Sequence, residues 1–327
     1  MICAPQERQV PAAMLTIQNV SHDPFYNQAF EEFVFQTFTD DDVFLLWQNS
    51  PAVIVGSYQN ICHEVQIGAL RRKGIPVVRR ISGGGTVYHD LGNVNYTYIT
   101  QTNGAVDYDA ALGPVIAALN AIGVPARKDR VCDIAIGDQK ISGSAQRMVG
   151  GRLLHHGTLL FSSDLTALER ITHQKNDCVQ SKGTQSAICT VTNIRDHLTV
   201  PMTIEAFQAN LLDQMVPPDQ PRMTLTPEQE SEVCRLRDEK YRSWDWTWGK
   251  TPAFTYDRSG IFAGVPIHVT YRAKHGIISD AVLDCAVLDG SLAARSLNGA
   301  RLDPDVFAAI CRRLAGGAAD ELLDLLL

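Results

Sequence analysis

The chain has 327 residues, 45% hydrophobic and 20% charged, the make-up of one large globular domain or a large domain with a smaller appendage. Twenty-nine basic residues against 36 acidic ones give a net charge of −7, which argues against generic nucleic-acid binding. No apolar run nears the ~18–20 residues that span a bilayer, and eight cysteines without a C-x-x-C pair predict a reduced cytoplasm, not a zinc site or disulfide framework.

Residues 1–13 lack a basic stretch leading into an apolar core, so they read as a disordered tail and not a secretory signal. Residues 15–20 alternate like a short strand. Asp23 followed by Pro24 predicts an N-cap with proline at the first helical position. Phe25, Ala29 and Phe33, four apart, extend it into an amphipathic helix. Residues 43–47 and 52–56 predict two strands joined by a polar turn, and 64–73 a helix ending at Gly74. Residues 77–80, 86–89 and 93–100 predict strands broken by glycine-containing turns. A helix over 108–122 closes at Gly123. Strands follow near 133–136, 140–146 and 153–161, then helices over 204–214 and 227–241. After the tryptophan-rich residues 244–249 come strands over 254–261, 265–271 and 277–288, and a helix over 303–314. This order lacks regular strand–helix alternation, so the fold class is α+β. It divides into a large mixed-sheet domain, 14–248, and a small α+β unit, 249–327.

Three clusters carry chemistry. The first runs from Arg79 to Asn93 as R-R-x-S-G-G-G-x-V-x-H-D-x-G-N. Three consecutive glycines are costly to order. They suit a main chain that approaches a ligand closely or offers N–H groups to an anion. Arg79 and Arg80 supply charge suited to phosphate or carboxylate. From the pattern alone, a flexible hairpin tip with two solvated arginines reads equally well. No Gly-Lys-Ser/Thr follows, so this is not a P-loop, and Arg80 stands where a nucleophile elbow needs glycine.

The second cluster, D-x(6)-K-I-S-G-S-A from Asp133, has a hairpin turn at Gly137 and Asp138 that sets Lys140 early in the returning strand. Ser142, Gly143, Ser144 and Ala145 leave room beside it, although a lysine next to a turn is ordinarily just solvated. The third, H-H-G-T-L-L from His155, puts neighbouring histidines on opposite strand faces, a poor metal pair. One of them is expected in the core and the other exposed.

Together and in this order, the clusters closely resemble the lipoate–protein ligase A family, of the superfamily that includes biotin ligases and octanoyltransferases. Leu46-Trp47-Gln48-Asn49, Val55-Gly56, Ser181-Lys182-Gly183, Val191-Thr192-Asn193 and Ser243-Trp244-Asp245-Trp246 extend the resemblance over residues 15–251. It implies a catalytic domain of the biotin/lipoate ligase type with a C-terminal accessory domain. It also implies ATP-dependent activation of lipoate to lipoyl-AMP, with Mg²⁺, and transfer to a lysine of a carrier. The carriers implied are lipoyl domains of 2-oxoacid dehydrogenase E2 subunits and the glycine-cleavage H protein. A cytoplasmic monomer without nucleic-acid or membrane partners is expected.

By the same resemblance Lys140 is the catalytic residue and touches both ATP and lipoate. Arg80, Gly85, Thr86, Val87, Tyr88, Asn93 and Thr158 fall at ATP-binding positions. Trp47, Ser82, Gly83, Gly84, His89 and His156 fall at lipoate-binding ones, and Asp133 is a metal-ligand candidate. An apolar tunnel walled by residues such as Val87 and Leu159 would take the acyl chain. Ile188 and Thr190 depart from the family, which carries arginines around a strand here. Two other readings stay open. One is an ATP-independent octanoyl- or lipoyltransferase using Cys132, Cys178 or Cys189, though none sits in a matching motif. The other is a non-catalytic lipoyl-carrier-binding protein. A hydrolase built on His89 and Asp90 lacks a placed nucleophile.

Overall fold

The computed structural model describes residues 14–102, 104, 107–172 and 176–327, so the expected tail over 1–13 lies outside the described residues. The chain divides into two compact units, each built from three stretches of sequence. Among the described residues, the first takes 14–50, 90–165 and 189–235, and the second 51–89, 166–188 and 236–327.

The first unit is built on an eight-stranded mixed sheet. Its strands, in spatial order, are Arg222–Met223, Met14–Ile17, Asp42–Trp47, Asn93–Gln101, Arg152–Leu160, Gln139–Val149, Asp133–Ile136 and Arg127–Asp129. The first three run parallel, and every later pairing is antiparallel. Side chains alternate across each strand, which gives the sheet two different faces. On one face Phe44, Val94, Tyr96 and Leu159, with Phe161 just past its strand, join a hydrophobic cluster with helices Tyr108–Ala121 and Ile204–Met215, the latter contributing Phe207. The other face meets helix Pro24–Thr37, which starts as expected, with the Asp23 carboxylate accepting the Phe25 N–H at 2.9 Å.

In the second unit, Ala52–Val55 is the centre of a three-stranded sheet, with Val77–Arg79 parallel and Val87–His89 antiparallel to it. A four-stranded antiparallel sheet combines Val179–Ser181 with Phe254–Phe262, Val265–Lys274 and Ile277–Cys285. Its buried face stacks Tyr256 on Tyr271 at 4.6 Å, and their hydroxyls donate to the carbonyls of Leu325 and Leu326.

Several local expectations shift. Strands Asp42–Trp47 and Ala52–Val55 lie in different sheets, so the polar turn between them is not a hairpin. The helix expected over 64–73 is two short ones, Ile61–Glu64 and Ile67–Arg72, because Val65 is extended and Asn60 caps the earlier start. Helix Pro227–Leu236 continues as a π turn over Arg237–Tyr241. Residues 184–190 are irregular where a strand was expected, with only Val191 bridging to Lys140. Helices Leu165–Thr172, Gly290–Leu297 and Ala319–Leu326 carry apolar stripes too short to stand out from sequence. No helix among the described residues is long and apolar enough to cross a membrane.

Phe161 and Phe207 stack at 4.5 Å between the sheet and helix Ile204–Met215, both almost fully buried. Phe207→Ala is expected to lower unfolding stability by about 3–5 kcal/mol, read from urea denaturation of the whole chain.

Candidate active site

In the first unit Lys140 sits where the hairpin reading puts it. Gly137 turns the chain with φ +54, and Lys140 lies opposite Ala135 on the returning strand. Its ammonium meets the Asp133 carboxylate at 2.8 Å; the lysine side chain is 25% exposed and the aspartate 6%. A Cβ on Gly143 would stand 2.7 Å from the ammonium nitrogen, so this strand position has to be bare for the lysine to lie across it. The Gly143 N–H donates to Thr158 Oγ1 at 3.2 Å. The Lys140 backbone is held as well: its N–H donates to Thr190 O at 2.9 Å, and its carbonyl accepts the Thr192 N–H at 3.1 Å. Thr190 therefore acts on this strand through its main chain.

Asp133, Lys140, Gly143, Thr158, His156, Thr97 and Trp47 share one face of the sheet by the strand registers. Along it runs a hydrogen-bonded chain that the sequence reading missed. The Trp47 indole donates to Thr97 Oγ1 at 3.0 Å, and that hydroxyl donates to Glu31 Oε1 at 2.6 Å. Glu31 also meets His156 Nδ1 at 2.9 Å. Glu31 is 1% exposed. A polar N-Q-A-F-E-E run inside an amphipathic helix was the signal available for it. Asn93 is buried nearby in register and donates to Asn95, while its Oδ1 has no hydrogen-bond partner among the described residues.

Two expectations need correction here. Both histidines are buried, because each face of the sheet is covered. His155 points into the cluster under Tyr108, between Tyr96 and Gln146, and burial with the neighbouring His156 drops its pKa to about 3. Leu159 lies on that same cluster side, opposite to the face that carries Lys140, so it cannot wall a tunnel beside the lysine.

In the second unit the glycine loop is ordered and not a flexible tip. Arg80 Nη2 donates to the carbonyls of Gly83 and Gly85 at 2.6 and 2.7 Å, its Nε donates to Ser82 Oγ at 3.0 Å, and its Nη1 to Ile54 O at 3.2 Å. Gly84 has φ +86, and a Cβ on Gly56 would come within 2.2 Å of the Gly84 carbonyl, so both positions require glycine. The Thr86 N–H donates to Ser186 Oγ at 2.7 Å, and the Thr86 hydroxyl to Gln59 Oε1 at 2.9 Å. Ser186 in turn donates to the buried Glu64 carboxylate. Gln59, Glu64 and Ser186 carry no motif of their own, and the sequence reading did not single out their side chains. Val87, Tyr88 and His89 form the strand that follows, with Tyr88 and His89 buried. Arg79 is not a solvated cation beside the loop: it is fully buried, and burial pulls its pKa down to about 10. Ile188, by contrast, is 55% exposed.

Residues 23–216 match the family of the lipoyl protein ligase A/B catalytic domain. The chain is 35% identical over 275 residues to the lipoate-protein ligase LplJ of Bacillus subtilis (strain 168), covering 82% of this chain and 83% of that protein. The chain belongs to the lipoate–protein ligase A family. Among solved structures it is similar to a T. acidophilum protein with bound lipoic acid, at 25% identity and a TM-score of 0.61, covering 72% of this chain and 98% of that one. It shares its fold with P. falciparum LipL1, solved in complex with lipoate, at 23% identity and a TM-score of 0.62, over 96% of this chain and 99% of that one. The α+β lipoate ligase fold, with its large mixed sheet and C-terminal part, is thus the one expected from the ordered motifs.

A depressed His155 pKa has a measurable consequence for this ligase-family fold. The unfolded chain takes up a proton near pH 6.5, but the folded chain does so only near pH 3. Stability is therefore full above pH 6.5 and falls by up to about 1.4 kcal/mol per pH unit as the pH drops toward 3. His155→Gln should flatten that part of a stability profile measured between pH 6.5 and 4.5.

Proposed function

We propose that this protein activates lipoate with ATP and transfers the lipoyl group to a lysine of a carrier protein, with Lys140 as the catalytic residue. The single observation that carries this is an ammonium held by Asp133 over a bare glycine, in a chain of this family. In the first half-reaction a lipoate carboxylate oxygen attacks the α-phosphorus and the bond to pyrophosphate breaks. The two reactants are both anions, and a unit positive charge at 4 Å offsets about 4 kcal/mol of their repulsion at an effective dielectric of 20. An ammonium has three donors, and Asp133 takes one. The others are available to the carboxylate and to the α-phosphate.

In this reading Arg80 and residues 85–88 bind the nucleotide together with Lys140, with Asn93 and Thr158 as further ATP contacts. Ser82, Gly83, Gly84, His89, Trp47 and His156 bind lipoate, whose roughly seven apolar carbons gain about 5–6 kcal/mol on burial. No group of three or more His, Cys, Asp or Glu suited to a metal occurs among the described residues. Mg²⁺ would enter with ATP as part of the substrate and offset phosphate charge, and Asp133, beside Lys140, is the carboxylate that would meet it. In the second half-reaction the acceptor amine attacks the acyl carbon and AMP leaves. An ordinary lysine is about one part in 2,500 neutral at pH 7, and positive charge at Lys140 favours loss of its proton on approach.

The carriers are lipoyl domains of 2-oxoacid dehydrogenase E2 subunits and the glycine-cleavage H protein, the enzyme works as a cytoplasmic monomer, and residues 249–327 are accessory to catalysis by 14–248. The cysteine-dependent rival is disfavoured at Cys132. Burial and the neighbouring Asp133 charge raise its pKa, which keeps the thiol protonated and a poor nucleophile.

Lipoate should support exchange of labelled pyrophosphate into ATP, and Lys140→Ala should cut that exchange by at least about a hundredfold. Good protein with no exchange would end the reading. Gly143→Ala should push the ammonium off its place beside the buried Asp133 carboxylate, lowering the melting temperature measurably and slowing exchange about tenfold or more. A carrier protein incubated with lipoate, ATP and this enzyme should gain the mass of one lipoyl group, and none with ATP omitted. A gain without ATP would favour a transferase.

A further inference from the structure

Arg79 is a fully buried cation whose hydrogen bonds go to neutral oxygens. Its Nε donates to Thr247 O at 3.0 Å, its Nη1 to Gly56 O and Gln59 O at 2.9 Å each, and its Nη2 to Thr251 Oγ1 at 3.3 Å. Its own carbonyl accepts the Trp246 indole N–H at 2.7 Å. Burying a charge among carbonyl dipoles is expensive. Only a planar fork with five donors bonds both the 56–59 and the 247–251 segments at once, so lysine would not replace it.

What the fork holds bears on the neighbouring loop. The turn over residues 56–59 lies against Gly84, as the 2.2 Å approach of a Cβ on Gly56 shows. Gln59 then reaches the loop directly. Its Oε1 accepts the Gly56 N–H at 2.8 Å and the Thr86 hydroxyl at 2.9 Å. Its Nε2 donates to Ser186 Oγ at 3.0 Å, the oxygen that accepts the Thr86 N–H. A chain of contacts therefore runs from residues 247–251 through Arg79 and Gln59 to Thr86. Arg80, one residue later, donates to the carbonyls of Gly83 and Gly85 on the same loop.

We propose that Arg79 is a positioning residue for nucleotide binding, bracing the 56–59 turn so that Gln59 sets the main chain of residues 84–86. The inference rests on the reading that residues 85–88 bind ATP, and it adds that the Thr247–Thr251 segment tunes ATP affinity through Arg79 without touching ATP. A residue that only stabilises the fold would affect both substrates alike.

The test compares KM for ATP, KM for lipoate and kcat in Arg79→Lys, Thr251→Ala, Gln59→Leu and the Arg79→Lys/Gln59→Leu double variant, with Arg80→Ala beside them. Arg79→Lys should raise KM for ATP about tenfold, equivalent to about 1.4 kcal/mol, and leave KM for lipoate within about twofold. Thr251→Ala should move KM for ATP in the same direction by about twofold to threefold. The double variant should match the worse single one, since both act on one contact chain. Equal rises in both KM values, or multiplicative effects in the double variant, would overturn the proposal. If Arg79→Lys does not fold, Thr251→Ala with Gln59→Leu forms the same cycle. An ATP KM indifferent to Arg80→Ala sinks the nucleotide reading and this inference with it. An ATP KM that responds to Arg80 and to none of the other three positions sinks the inference alone.

Discussion

The ion pair between Lys140 and Asp133 is the constraint around which the first unit's candidate site is built. A carboxylate that is 6% exposed is costly unless paired, and an ammonium on a four-carbon stem wanders unless held. Each solves the other's problem. The pairing needs the hairpin turn at Gly137, a register shift between Ile134 and Ala135, and the missing side chain at Gly143. Thr190 and Thr192 hold the lysine's main chain, so the side chain starts from a fixed base. A cation so anchored can serve two anionic reactants without reorganising when they react.

The second unit solves a related problem with two adjacent arginines. Arg79 ends its strand and Arg80 follows it, and the two guanidinium groups divide the work. Arg80 collects carbonyl oxygens of the glycine loop, which stops the loop from being a floppy tip. Arg79 binds carbonyls deeper in the fold and has no outlet to solvent. Glycine appears at 56 and 84 because two backbones meet there at a distance no side chain tolerates. The Thr86 amide is engaged by Ser186, so segment 184–190 contributes through a hydroxyl anchored on buried Glu64. That gives the irregular stretch before Ile188 a structural role.

Asp23 with Pro24, Gly137 before Lys140, and the alternating strands were legible in the sequence because caps, turns and periodicity are local. Lys140 and Arg80 were legible because they stand inside ordered motifs. His155 and His156 were legible as opposite-facing but not as both buried, since that depends on what covers each face. Leu159 was placed on the wrong side for the same reason. Glu31, Gln59, Glu64 and Ser186 were invisible as partners: each lies far along the chain from the group it holds, and a lone polar residue carries no spacing signal.

The sequence by itself determined the family, the α+β class, the hairpin that presents Lys140 and the need for glycine beside the paired arginines. These follow from local backbone preferences and from motif order, which are written in consecutive residues. Only the tertiary structure decided that Arg79 is an internal strut, that Glu31 and His156 form a buried pair, and that segments more than a hundred residues apart share a unit. Burial and pairing are properties of the assembled surface around a group, and a one-dimensional pattern does not contain that surface.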